Sequence, residues 1–231
     1  MLNKNILTVT NLIKLLSLEE LKRKEIVENL IKTFGLVQWG PDVFGEDEQY
    51  KNLTVDMAGI YQIPAQLAGA LIRLSSEQIS SYCEIGVFQG GNFVFVSEYL
   101  KRFNPEIMCT GIDPSNYLNK EIRAYIDAND NWMEFKQVTS DDISGTKFDL
   151  VFIDGNHVDG WVEKDYENLG KYAKICLIHD IQEKSCQEVI DFWEKIKQGK
   201  TTEEYLECFS PEPIMGIGMI LQGKESKRKA K

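Results

Sequence analysis

Only two histidines occur in the 231-residue chain, and both stand beside acids at the ends of apolar runs. His157 closes Asp154-Gly155-Asn156-His157 after the run 148–153, and His179 precedes Asp180 after the run 174–178. Neighbouring strand ends in one sheet lie about 5 Å apart, so Asp154 and the His179–Asp180 pair can face one cleft. Two carboxylates with water suit Mg²⁺, and a histidine ligand shifts the preference toward Mn²⁺ or a similar metal. The metal set is then Asp154, His179 and Asp180. Strand-end acids also cap helices, and a histidine at 179 can hydrogen-bond its neighbours in place of an ion.

A second group sits earlier, in Glu84-Ile85-Gly86-Val87-Phe88-Gln89-Gly90-Gly91-Asn92. Gly86 can turn the chain sharply out of a strand, and Gly90 and Gly91 let a helix start close to it. A dinucleotide fingerprint would place glycine at 88, where backbone approaches pyrophosphate, but Phe88 stands there. Glu84 at the mouth of the turn repels a pyrophosphate and attracts an ammonium or sulfonium group. Asp113, closing Gly111-Ile112-Asp113, can accept from both hydroxyls of a ribose. Its removal is expected to weaken cofactor binding with little loss of stability.

These residues need a sheet to bring them together, and the pattern from residue 80 onward supplies one. Apolar runs at 82–85, 108–112, 133–138, 148–153 and 174–178 alternate with amphipathic helices near 93–100, 121–126 and 162–172. A helix opened by a Ser185–Glu188 capping box follows the fifth run. This rhythm predicts an α/β fold with a mostly parallel Rossmann-like sheet and helices on both faces. Runs 205–209 and 214–221, separated by a short turn with Ser210, Pro211 and Pro213, predict an antiparallel hairpin at the sheet edge. Ligands of such sheets bind at the carboxyl ends of the strands.

The first 35 residues read as helices, with a Ser17–Glu20 capping box, Ile26, Val27, Leu30, Ile31 and Phe34 at helical spacing, and Gly35 as the stop. Residues 37–61 read as a long irregular connection, and Pro64 opens a helix with Leu67, Leu71 and Ile72 on one face. The expected organisation is an N-terminal helical extension or lid over 1–60, a cofactor-binding domain over 61–223 and a disordered basic tail over 224–231.

Composition narrows the partners. The chain is 43% hydrophobic and 27% charged with net charge −10, which excludes a disordered, collagenous or coiled-coil protein. The tail KESKRKAK carries +4, so residues 1–223 sum to about −14, an acidic body that disfavours nucleic acid and anionic membrane. Neither a membrane-length apolar run nor a signal segment is read in the sequence. Five scattered cysteines without a C-x-x-C pair argue against disulfides or zinc and for a reducing, cytoplasmic setting. Trp161, Trp193 and the other tryptophans are expected in the core. The sequence is compatible with a homo-oligomer.

The series CEIGVFQGGNF, GIDPSN, FDLVFIDGNHVDGWVEKDYEN and CLIHDI, in this order, resembles the class I S-adenosylmethionine-dependent methyltransferases over roughly residues 60–221. The likeness is greatest to the small-molecule and sugar O-methyltransferases and cephalosporin-hydroxylase-like proteins. It implies a seven-stranded sheet, with the hairpin as its closing strands. It implies S-adenosylmethionine as cofactor, Glu84 at the methionine end and Asp113 on the ribose. Ser140 and Asp141 fall at adenine, and Gly86, Phe88, Gly90, Gly91 and Asp154 complete the cofactor set. Asn92 replaces the more usual Ser or Thr and can still donate a hydrogen bond. The metal-dependent members imply Asp154, His179 and Asp180 as ligands and His157 as the base that takes the acceptor's proton, with Asp154 beside it. Lys is more frequent than His at the base position, and position 179 is more often an acid. The expected activity is O-methylation of a small hydroxylated acceptor, a sugar or natural-product intermediate, helped by Mg²⁺ or Mn²⁺. The alternatives are a non-methylating, metal-dependent relative with hydroxylase- or hydrolase-like chemistry, and an inactive cofactor-binding partner subunit.

Overall fold

The computed structural model describes residues 4–36, 59–208 and 212–222. Among the described residues α1 (Lys4–Leu15), α2 (Lys24–Phe34) and α3 (Pro64–Leu74) come first. Strands and helices then alternate as β1 (Ser81–Ile85), α4 (Gly91–Phe103), β2 (Met108–Ile112), α5 (Lys120–Asp127) and β3 (Met133–Lys136). They continue as β4 (Leu150–Ile153), α6 (Trp161–Asn168), β5 (Ile175–His179), α7 (Gln187–Ile196), β6 (Thr201–Tyr205) and β7 (Ile217–Leu221). The seven strands form one sheet in the order β3-β2-β1-β4-β5-β7-β6. All pairs from β3 to β5 are parallel, and β7 runs antiparallel to both β5 and β6. This is the Rossmann-like sheet with an antiparallel ending that the sequence pattern predicts.

Both faces of the sheet are covered, so the central strands are mostly apolar and alternate between two cores. Tyr82, Cys109, Leu150, Phe152, Leu177 and Met219 face a core shared with α1 to α5. Cys83, Ile85, Val151, Ile153, Cys176 and Ile178 face the second, filled from α6 and α7 by Tyr166, Phe192 and Trp193. The first two helices belong to the first core: the Tyr99 hydroxyl donates to the Leu21 carbonyl at 2.7 Å, and Phe34 meets Phe95 edge-on with centroids 5.7 Å apart. Residues 37–58 of the expected lid and the basic tail 224–231 lie outside the described residues.

Local signals were only partly realised. Ser17 and Glu20 form their reciprocal cap, with Ser17 N–H donating to Glu20 at 2.8 Å, but it closes a short 3₁₀ turn ahead of α2. The Ser185–Glu188 box does not form. The cap of α7 is Cys186, so Glu188 is one residue too early in the helix. Its carboxylate accepts from Asp159 N and Gly160 N (3.3 and 2.8 Å), amides at the start of α6 that no helical carbonyl serves.

The closing hairpin is also displaced. Its first strand is Thr201–Tyr205, not 205–209, and Tyr205 pairs with Ile217, leaving a long loop rather than a short turn. Thr201–Tyr205 is an edge strand reading Thr-Thr-Glu-Glu-Tyr, so it lacks the apolar run that marks a buried strand. The loop is fixed by two glutamines: Gln66 and Gln182 amides both donate to the Ile214 carbonyl (3.2 and 2.9 Å). That pinning directs Met215 toward the carboxyl ends of the parallel strands.

Candidate active site

A cavity of about 690 Å³ opens at those strand ends. Its floor is the turn after β1. Gly86 has φ +85°, and a Cβ there would lie 2.1 Å from the Asp154 carbonyl oxygen. Gly90 has φ +92°, and its Cβ would lie 2.4 Å from Ile122 Cγ2. No other residue fits either place, which explains the spacing in Glu84-x-Gly86-x-x-x-Gly90. Gly91 then begins α4.

Glu84 is buried in the cavity wall, where the Tyr82 hydroxyl and Asn92 Nδ2 (3.1 Å) donate to its Oε2. Burial pushes its pKa up to about 8, so the carboxyl is largely protonated at neutral pH until a cation arrives. Asn92 Oδ1 is buried with no partner. Asp113 holds the loop from both sides, with Oδ2 accepting from Phe88 N at 2.9 Å and Oδ1 from Ser115 N at 2.8 Å. These bonds fix Phe88 in a left-handed conformation, φ +46°, so the aspartate has a structural role that the sequence did not predict. Phe88 projects between Tyr61 and Tyr117, with centroids 5.5 and 5.7 Å away.

Ser140 lines the cavity and donates to Asp165 at 2.6 Å. Asp141, expected beside it, instead pairs with Lys164 and accepts from Asn168 at 2.8 Å, outside the cavity lining. Trp161 is half-buried and lines the cavity at the start of α6, a correction to its expected place in the core, whereas Trp193 and Trp132 are buried there. Trp161 misleads because a lone tryptophan carries no positional signal.

In the same cavity, β4 and β5 bring the acid–histidine group together. His179 Nδ1 lies 2.9 Å from Asp154 Oδ1 and 3.2 Å from Asp180 Oδ2, while His157 Nε2 lies 3.0 Å from Asp180 Oδ2. Asp180 itself adopts φ +62° to reach both rings. Burial works against charge on His179, yet the flanking Asp154 and Asp180 carboxylates hold its pKa well above the usual histidine range. Asp180 is likewise buried, which favours its neutral form, but the two imidazoles keep it well below the usual carboxylate range. Pairing with Asp180 raises His157 above 6.5, against the opposing effect of burial. Gln62 donates its amide to Asp154 from the segment before α3.

With this geometry in place, comparison identifies a domain. Residues 83–181 match a family model described as a methyltransferase domain. The chain therefore carries a methyltransferase domain over that segment. No curated protein sequence matches it. The O-methyltransferase of Bacillus cereus, solved with S-adenosylhomocysteine, superposes with TM-score 0.54 at 11% identity, over 72% of this chain and 84% of that one. TomG from Streptomyces achromogenes, an O-methyltransferase of tomaymycin synthesis solved with S-adenosylmethionine, gives 0.51 at 18% identity, over 71% and 82%. A Podospora anserina methyltransferase bound to S-adenosylhomocysteine gives 0.50 at 12%, over 70% and 79%. At such identities the likeness is one of fold.

The methyltransferase cavity contains residues that sequence spacing could not reveal. Asp165 on α6 is held at a pKa of about 6 by burial. Cys186 and Met215 close the His157 end. One nitrogen, oxygen or sulfur from each of Asp154, His179 and Asp180, and likewise from His157, Asp180 and Cys186, lie within 4.8 Å of one another. The first set has the oxygen and imidazole donors that suit Mn²⁺ or a similar ion. In this methyltransferase its imidazole already bridges the two acids, so an ion would take over a charge that His179 now supplies.

Proposed function

We propose that this methyltransferase transfers the methyl group of S-adenosylmethionine to a hydroxyl oxygen of a small acceptor, with His157 taking the proton. The observation that carries the reading is the His157–Asp180 pair in the same cavity as Glu84 and Asp113. The cofactor's ammonium suits Glu84, its ribose hydroxyls suit the free lone pairs of Asp113, and its adenine lies toward Ser140. The sulfonium then faces the histidine.

In the reaction the acceptor oxygen attacks the methyl carbon in line with sulfur. A C–O bond forms as the C–S bond breaks, and the electron pair stays on sulfur as S-adenosylhomocysteine. The acceptor proton passes to His157 Nδ1, the ring nitrogen that does not face Asp180. Asp180 orients that imidazole and stabilises the imidazolium, and His179 fixes Asp180 in turn. Positioning supplies most of the remaining acceleration, since the cavity would hold the sulfur, the methyl carbon and the acceptor oxygen near in-line attack geometry. Asp154, His179 and Asp180 would hold a divalent metal, and that ion would acidify the acceptor hydroxyl.

The test is turnover with radiolabelled S-adenosylmethionine across hydroxylated acceptors, with and without chelator. Label appearing in an ether product supports the reading. Tight binding of S-adenosylhomocysteine with no transfer to any acceptor would instead identify an inactive partner subunit.

A further inference from the structure

The polar wall of the cavity presents acids and acceptors with little to balance them. Glu84, Asp113, Asp154, Asp165, Asp180 and Glu183 line it, and among the described lining residues there is no Lys or Arg. Glu84 and Asp113 face the cofactor end, Asp165 is held by Ser140, and His179 and His157 offset Asp154 and Asp180. Glu183 is left over at the acceptor end. Its oxygens take only neutral donors, Met215 N at 3.1 Å, Ser185 N at 3.3 Å and Ser185 Oγ at 3.0 Å. No cation pairs with it among the described residues.

A second observation is independent of charge. Gln62 is 1% exposed and lines the same cavity. A carboxylate beside it can only accept, so the Gln62 NH₂ must face Asp154, and its Oε1 is thereby fixed as an acceptor. That oxygen is buried and has no partner among the described residues. Buried acceptors are rarely left unpaired, so a ligand donor is the natural complement.

Resting on the methyl-transfer reading above, we infer that the acceptor is a hydroxylated amine. Its ammonium group pairs with Glu183, Gln62 Oε1 accepts a polar hydrogen near the reacting oxygen, and Met215 covers the carbon skeleton between them. An acceptor bearing a carboxylate or phosphate is disfavoured, because the acidic wall would place like charges together.

Matched probes test this on the complex with S-adenosylhomocysteine, by calorimetry, and with S-adenosylmethionine, by methyl transfer. Tyramine against 4-hydroxyphenylacetate, and glucosamine against glucuronate, differ chiefly in ammonium versus carboxylate. The ammonium member of at least one pair is expected to bind and react about tenfold or more better, the scale of a charge-assisted contact. Glu183→Gln keeps an acceptor for Met215 N and should shrink that ratio about tenfold, and Glu183→Lys should reverse it. A melting temperature still raised by S-adenosylhomocysteine shows that each variant is folded. Preference for the carboxylate member, a ratio unmoved by Glu183→Gln, or no binding of either amine overturns the inference. Failure of the wild-type protein to bind S-adenosylhomocysteine overturns the methyl-transfer reading instead.

Discussion

Three residues carry charges or bonds whose removal has a calculable effect. Asp113 anchors two backbone amides, so Asp113→Ala removes the acceptor of both donors at a partly buried turn. The cost should be about 1–3 kcal/mol of stability, read from denaturant melts, on top of weaker cofactor binding. A ribose contact alone would leave stability unchanged. His157→Ala should lower turnover roughly 10²–10⁴-fold while S-adenosylhomocysteine affinity by calorimetry stays near wild type. A base works when deprotonated, and Asp180 raises the pKa of His157, so the rate should climb with pH through a limb above 6.5. Glu84 behaves oppositely to a surface carboxylate. Its pKa of about 8 against an ordinary 4.5 means that ionising it in the folded protein costs stability, increasingly as pH rises between those values. The cofactor's ammonium favours the ionised form, so binding near pH 7 should release a proton and strengthen as pH rises toward 8. Calorimetry in buffers of different ionisation enthalpy reads that proton, and Glu84→Gln should abolish it.

At the scale of elements, the site depends on how closely the β1 turn approaches β4. Ile85 pairs with Ile153 across the parallel ladder, and Gly86 follows where the Asp154 carbonyl fills the space of a side chain. Gly86→Ala combines a left-handed backbone penalty with a clash against main chain that has no rotamer to yield. It should cost at least about 1–3 kcal/mol and displace Asp154. The expected result is a lowered melting temperature together with lost cofactor affinity. An alanine variant of normal stability would mean that this turn is looser than described. The antiparallel β7, inserted between β5 and the edge strand β6, ties Met215 to the same end of the sheet.

For the whole molecule, the cofactor is the decisive ligand. S-adenosylhomocysteine at 100 times its dissociation constant should stabilise by about 2.7 kcal/mol, a rise of roughly 5–10 °C for a chain of this size. NAD⁺ should give none, because Phe88 occupies the approach to a pyrophosphate and Glu84 opposes its charge. Protection by NAD⁺ alone would contradict the cofactor assignment. Among the described residues no helix is long and apolar enough to cross a membrane.

The order of strands and helices was legible in the chain because burial on both faces of a parallel sheet demands continuous apolar runs. The glycines at 86 and 90 were legible because a tight turn admits nothing else. Proximity along the chain also betrayed Asp154 with His157 and His179 with Asp180, since each pair closes one strand. The sequence could not say that Asp180 lies between both histidines, or that His179 already bridges two acids, because those contacts join separate strand ends. Gln62, Glu183, Cys186 and Met215 came from segments without any chemical motif, and only the path of the loops brought them to one cavity. Edge strand β6 escaped detection for the converse reason: half-exposed strands need no apolar run, so pairing with β7 alone defined it. Local pattern determines elements because each residue's burial repeats with the period of its own helix or strand. Side chains far apart in sequence meet only through packing, and that is where the acceptor end of this site was decided.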